Sequence, residues 1–249
     1  MSENTPRRFW VALYGAAAGL FALMDWSARS LQSFRGEWGL AVGALVLAAV
    51  LILDRTVFAG SWRESIRALG LGAPRAAGMI AASAIGALLI ATLPLAALAS
   101  GTTLSLRADW PWLVPGLLAQ AGVAEEVLFR GLVFGRIRHG RPFWRAVALS
   151  LPPFALAHAV LLLSMTLPLA LASLALSIVI TPALCRLYEL GGRTIWAPAL
   201  LHAVVQGALK VADLSGGDAT LLPLLWIGAC ALLPYLAFLW RSSENAAAA

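Results

Sequence analysis

Apolar residues run almost unbroken through eight stretches of the chain, at about 10–25, 38–53, 76–99, 110–135, 143–163, 165–188, 195–212 and 219–240. Arginine collects in the short segments between them. Each stretch comes near the roughly 20 residues that a helix needs to cross a bilayer. The pattern predicts an all-α polytopic membrane protein of about eight transmembrane helices, folded as one membrane domain over 1–249.

Composition agrees, with 61% of residues hydrophobic and 12% charged. The net charge of +6 does not point to nucleic acid, because the basic residues form no patch interleaved with stacking aromatics. They follow the spans instead. If the N-terminus is cytoplasmic, the inside segments carry 13 of the 18 Lys and Arg, the outside segments carry Arg29, Arg35, Arg107 and Lys210, and Arg130 lies within a span. That asymmetry is the positive-inside rule for an even number of spans, and it predicts a plasma-membrane protein with both termini cytoplasmic and lipid as a partner. The opening PRRFWVALYGAAAGLFALM has a basic start and an apolar run but no clear small-residue cleavage site, so it reads as an uncleaved first helix.

Smaller signals refine this picture. SWRESIRALGLGAPR, 61–75, is either an amphipathic interfacial helix or a basic loop. Gly15 with Gly19, Gly39 with Gly43, and Gly131 with Gly135 are G-x-x-x-G pairs that allow close helix approach. Cys185 and Cys230 have no metal-ligand or redox spacing and read as small apolar packers. The tail ENAAAA reads as disordered.

The informative residues are the polar ones inside spans, each costing about 2.5–3.5 kcal/mol on the lenient insertion scale. They are Glu125, Glu126, Arg130, His158, His202 and Gln206. On a helix Glu126 and Arg130 lie four apart and can pair, which turns Glu125 to another direction. Glu125 and His202 lie at matching depth by residue count, and His158 is level with them if Pro152 and Pro153 kink or restart its helix. His139, in the loop GRIRHGRP, reads as solvated. A carboxylate, two imidazoles and an amide in a low-dielectric cavity make a hydrolytic centre: the carboxylate takes a proton from water, and a histidine and an amide donate to the oxyanion. Glu125, His158 and His202 would also form a zinc shell. No further strong ligand stands out, so a metal-free site is favoured and zinc stays possible.

These residues resemble the motifs of the CPBP family, the CAAX prenyl endopeptidase and bacteriocin-processing (Abi) intramembrane proteases. The motifs appear in order as Glu125-Glu126-Val-Leu-Phe-Arg130, Phe154-Ala-Leu-Ala-His158 and His202-Ala-Val-Val-Gln206, within a core of about 110–212. The resemblance implies that Glu125 is the general base acting with His158 on water. It also implies that Glu126 and Arg130 are a structural pair and that His202 with Gln206 supports the oxyanion. Gln206 departs from the family's usual asparagine. The activity so implied is an intramembrane endopeptidase that cuts a membrane-associated protein or peptide near the cytoplasmic face. A catalytically weak immunity or membrane-binding module, or a transporter, is the alternative. No internal repeat of the kind transporters use is visible, because the first three spans carry nothing like the polar set.

Overall fold

The structure is a computed structural model and describes residues 6–218 and 220–240. The tail ENAAAA lies outside them. The elements run α1 (Arg7–Ser30), α2 (Gly39–Val57), α3 (Trp62–Ala68), α4 (Ala76–Ser100), β1 (Thr103–Leu106), then a continuous helical stretch over 110–138. There follow α7 (Phe143–His158) with a 3-10 extension Ala159–Leu163, α8 (Leu167–Leu190), α9 (Trp196–Gly207), β2 (Ala212–Ser215) and α10 (Leu221–Leu232), which also ends in a 3-10 turn. The stretch over 110–138 is composite: α5 (Trp110–Leu117), a π-helical segment Leu118–Ala124, the two glutamates, a second π segment Val127–Gly135, and α6 (Arg136–Arg138).

The protein is all-α and polytopic, and every expected span falls on a helical stretch. Among the described residues six helices are long and apolar enough to cross a membrane. The two expected spans outside that group are 110–135 and 195–212. Glu125, Glu126 and Arg130 interrupt the first, while α9 has 12 residues, or about 18 Å at 1.5 Å per residue, short of a hydrocarbon core of roughly 30 Å. A short α9 leaves its polar face inside the protein rather than in lipid.

Loops gather in two groups, one at each end of the bundle. At one end β1 pairs antiparallel with β2, from Thr103 opposite Ser215 to Leu106 opposite Ala212. Trp112 donates to the Glu37 carbonyl at 2.9 Å and Arg35 to the Lys210 carbonyl at 3.3 Å. These are the segments expected on the arginine-poor side. At the other end Ile195 N–H donates to the Gly70 carbonyl and Trp196 to that of Gly72. Asp54 pairs with Arg136, and Arg138 with Glu189. The small sheet had no counterpart in the sequence reading, since four residues on each side fall below any periodicity signal. The segment 61–75 contains a true helix, capped where the Ser61 hydroxyl accepts from Glu64 N–H.

Glycine decides how close the helices come. A Cβ at Gly43 would lie 2.8 Å from the Ala119 carbonyl oxygen, and one at Gly39 would collide with Gly116, so this pair docks α2 on the helix that carries the glutamates. Gly131 packs on the Leu69 carbonyl, whereas Gly15 and Gly19 face open space. Two of the three G-x-x-x-G pairs therefore mark contacts within the protein.

Pro152 and Pro153 do not break α7. Pro153 cannot donate to the carbonyl four residues back, and the Tyr14 hydroxyl of α1 fills that vacancy by donating to Leu149 O at 2.8 Å. Two apolar clusters result: one gathers α1, α2, the second π segment and α7, the other α4, α8, α9 and α10. Cys185 and Cys230 are free and buried, one in each.

Candidate active site

The polar set lies on the seam between the two clusters. Glu125 and Glu126 come from the junction of the π segments, His158 from the end of α7, and His202 and Gln206 from one face of α9. Glu126 and Arg130 are buried and paired, Nη1 to Oε1 at 2.9 Å. The same Glu126 oxygen lies 2.6 Å from His202 Nδ1, so Glu126 bridges two helices as well as pairing along its own. Arg130 also stacks its guanidinium 4.2 Å from the centre of the Phe154 ring, and Phe154 packs edge-on against Phe129 at 4.8 Å.

A second chain of bonds fixes Glu125. Gln206 Nε2 lies 2.9 Å from Glu125 Oε1 and 3.0 Å from His202 Nε2. An amide nitrogen carries two hydrogens and no accepting lone pair, so both contacts are donations. His202 Nε2 must then be an acceptor and Nδ1 carry the proton, which it donates to Glu126. One tautomer satisfies the whole series from Arg130 through Glu126, His202 and Gln206 to Glu125. On α7, His158 Nδ1 lies 2.9 Å from the Phe154 carbonyl. A carbonyl only accepts, so Nδ1 is again the protonated nitrogen and Nε2 is left with a lone pair.

Glu125, Phe154, His158, His202 and Gln206 line one cavity of about 480 Å³. Its walls are mainly apolar, from α1, α7, α8 and α10, with Trp226 anchored by its indole N–H on Val205 O at 3.0 Å. Arg29, Phe34, Ser164 and Met165 are exposed residues of its lining. They belong to the arginine-poor end of the bundle. Cleavage was expected near the arginine-rich face, but the cavity extends to the opposite end. Counting residues inward from one helix end gave a depth for Glu125 without telling which end its cavity reaches.

His139 is exposed in its loop, away from these residues. Among the described residues no group of three or more His, Cys, Asp or Glu side chains is spaced to hold a metal ion. His202 Nε2 comes within 3.8 Å of Glu125 Oε2, while its Nδ1 is engaged by Glu126. One residue of the cavity escaped the sequence reading. Lys210 also lines it, three residues past the end of α9, and its signal was the spacing His202, Gln206, Lys210, two steps of four in the sequence.

Residues 107–208 match the family model described as Rce1-like, type II CAAX prenyl endopeptidase. That segment contains all three motifs and is similar to the CAAX-type membrane proteases that the model describes. No curated protein and no solved structure matches the chain.

Proposed function

We propose that the chain is an intramembrane endopeptidase in which Glu125 activates a water molecule for attack on a peptide bond. The observation that carries this reading is the convergence of Glu125, His158, His202 and Gln206 on one largely apolar cavity. A water between the Glu125 carboxylate and the Nε2 lone pair of His158 donates both hydrogens and turns its own lone pair to the substrate carbonyl. Glu125 takes one proton as the oxygen adds to the carbonyl carbon, then returns it to the amide nitrogen as the C–N bond breaks.

Both Gln206 hydrogens are engaged in the resting arrangement, and His202 Nε2 is accepting one of them. As Glu125 becomes protonated it needs that donor less, so Gln206 turns one N–H to hydrogen-bond the developing oxyanion. Gln206 is then the oxyanion donor, and His202, fixed by Glu126, holds its amide in place. The extra methylene of glutamine over the family's asparagine lets the amide reach both Glu125 and His202. No step in this sequence passes through a metal.

The arginine distribution supports a plasma-membrane orientation with both termini cytoplasmic, in which the cavity opens away from the cytoplasm. The substrate is a membrane-associated protein or peptide whose cut site sits in the outer half of the bilayer. The test compares new protein termini in membranes bearing wild-type protein or Glu125→Gln. A small set of termini present only with wild type is expected; identical sets at equal protein levels would overturn the reading.

A further inference from the structure

We propose that Lys210 is a substrate-anchoring residue that binds a peptide carboxylate on the side of the scissile bond running toward the exposed rim. This rests on the protease reading above and names one feature of its substrate. Lys210 stands four residues beyond Gln206 and eight beyond His202. Past the end of α9 at Gly207 the chain makes one further turn, in which Lys210 N–H donates to Gly207 O at 2.8 Å and Val211 N–H to the same oxygen at 3.1 Å. At 1.5 Å per residue Lys210 sits about 6 Å past Gln206 and about 12 Å past His202 along the axis.

Its backbone is held on both sides. Arg35 caps its carbonyl, and β2 begins two residues later, pinned to β1. Its side chain lines the cavity shared with Glu125, yet its ammonium makes no ion pair or hydrogen bond among the described residues. The charges nearest in effect are Glu125 and Glu37, with Arg35 opposing them. Glu125 already accepts from Gln206, and Glu37 accepts from the Arg35 N–H at 2.8 Å. The other charged residues of the lining, Asp25 and Arg29, are paired with each other at 2.8 Å. Lys210 is thus the cation of the cavity lining whose charge has no partner there, and a partly buried ammonium calls for an anion.

A peptide is the occupant the site favours, because the cavity brings the base and the amide donor to the same space. An extended strand rises about 3.3 Å per residue, so a carboxylate within about two to four residues of the scissile bond falls in reach of Lys210. Either a chain end or an Asp or Glu side chain supplies that chemistry.

The experiment uses full-length Glu125→Gln protein in detergent, which binds without cutting. Three fluorescein-labelled apolar decapeptides serve as probes: one with a free C-terminus, its C-terminal amide, and the amide with Asp three residues from the end. Binding is read by anisotropy. At least one acid probe should bind about tenfold or more tighter than the plain amide, the scale of a charge-assisted hydrogen bond. Lys210→Gln should erase that preference without weakening the amide, while Lys210→Arg keeps it, and the acid that wins says whether a chain end or a side chain is read. Equal binding of all three probes, or a preference that survives Lys210→Gln, overturns the proposal. So does a result in which phosphatidylglycerol, rather than the acid probes, is what Lys210→Gln ceases to bind. An equal shift of the pH profile for cutting acid and amide peptides by Lys210→Gln, in the otherwise wild-type chain, would overturn it too, since Lys210 would then act on Glu125. Acid preference with no cutting of any peptide by wild type faults the protease reading and leaves the anchor standing. Cutting without preference does the reverse.

Discussion

Two carboxylate–arginine pairs have their arginines six residues apart on the same helical stretch, Arg130 and Arg136, and they do different things. Glu126 and Arg130 are both fully buried, four apart in sequence, and the carboxylate extends the pair to His202 on another helix. Asp54 is just as buried, but its partner Arg136 lies 82 positions away, retains some exposure, and rests its guanidinium 4.5 Å from the Phe58 ring. The first pair ties His202 into the seam, whereas the second clamps α2 to the end of the motif helix. What separates them is the third partner: Glu126 has an imidazole to position, and Asp54 has only the arginine.

The comparison is sharpest when the residue beside the first pair is changed. Glu125→Gln, which keeps shape and loses only the proton acceptor, should reduce peptide cleavage to background in a mass-spectrometric assay with thermal unfolding unchanged. Gln206→Ala should lower turnover by about 10²–10³, the loss seen on removing one oxyanion donor, with little change in KM; Gln206→Asn should keep activity. A Gln206→Ala protein with unchanged kcat would remove the oxyanion role. Purified protein treated with chelator should turn over as before, and loss of activity restored by zinc would reassign Glu125, His158 and His202 as ligands.

Breaking the pairs themselves comes next. Glu126→Gln leaves Arg130 buried without a counter-charge and frees His202 from its tautomer, so it should cost about 3–5 kcal/mol of stability. Asp54→Asn should cost about 1.5–3 kcal/mol, because Arg136 can turn toward water; denaturant or thermal unfolding in detergent measures both. If Asp54→Asn proves the more damaging, the clamp and not the seam holds the bundle together. The smallest effect belongs to the exposed pair Arg107 and Asp109, joined at 2.9 Å. The Arg107 hydrogen bond holds the Asp109 carboxyl below its ordinary 3.8, so its contribution is complete above that pH and fades as pH falls through the lowered value. Fully exposed charges are screened, and Arg107→Gln should leave the unfolding temperature unchanged at pH 7.

The same contrast explains what the sequence could disclose. An i, i+4 pair inside an apolar run is visible to anyone counting along a helix, as are the spans, their alternation of arginine and the three motifs. Asp54 was not visible, because it stands one residue past an apolar stretch and looks like ordinary loop charge until the fold brings Arg136 to it. Lys210 looks like an outer-loop cation for the same reason, although it follows His202 and Gln206 at four-residue spacing. The side on which the cavity lies was hidden too, since it depends on how α1, α7, α8 and α10 surround the short α9.

The wide turns on either side of Glu125 and Glu126 act as a phase adjuster. Residues before Leu118 are set by the glycine contact with α2, and those after Gly135 by the clamp to Asp54. An α-helix advances about 100° per residue, so a helix of fixed pitch could not satisfy both ends and still aim two adjacent carboxylates at different partners on α9. Loosening the pitch in between absorbs the mismatch. A single deletion in Leu118–Ala124 would therefore act less like a shortening than like a rotation, turning Glu125 out of its cavity while every helix stayed in place.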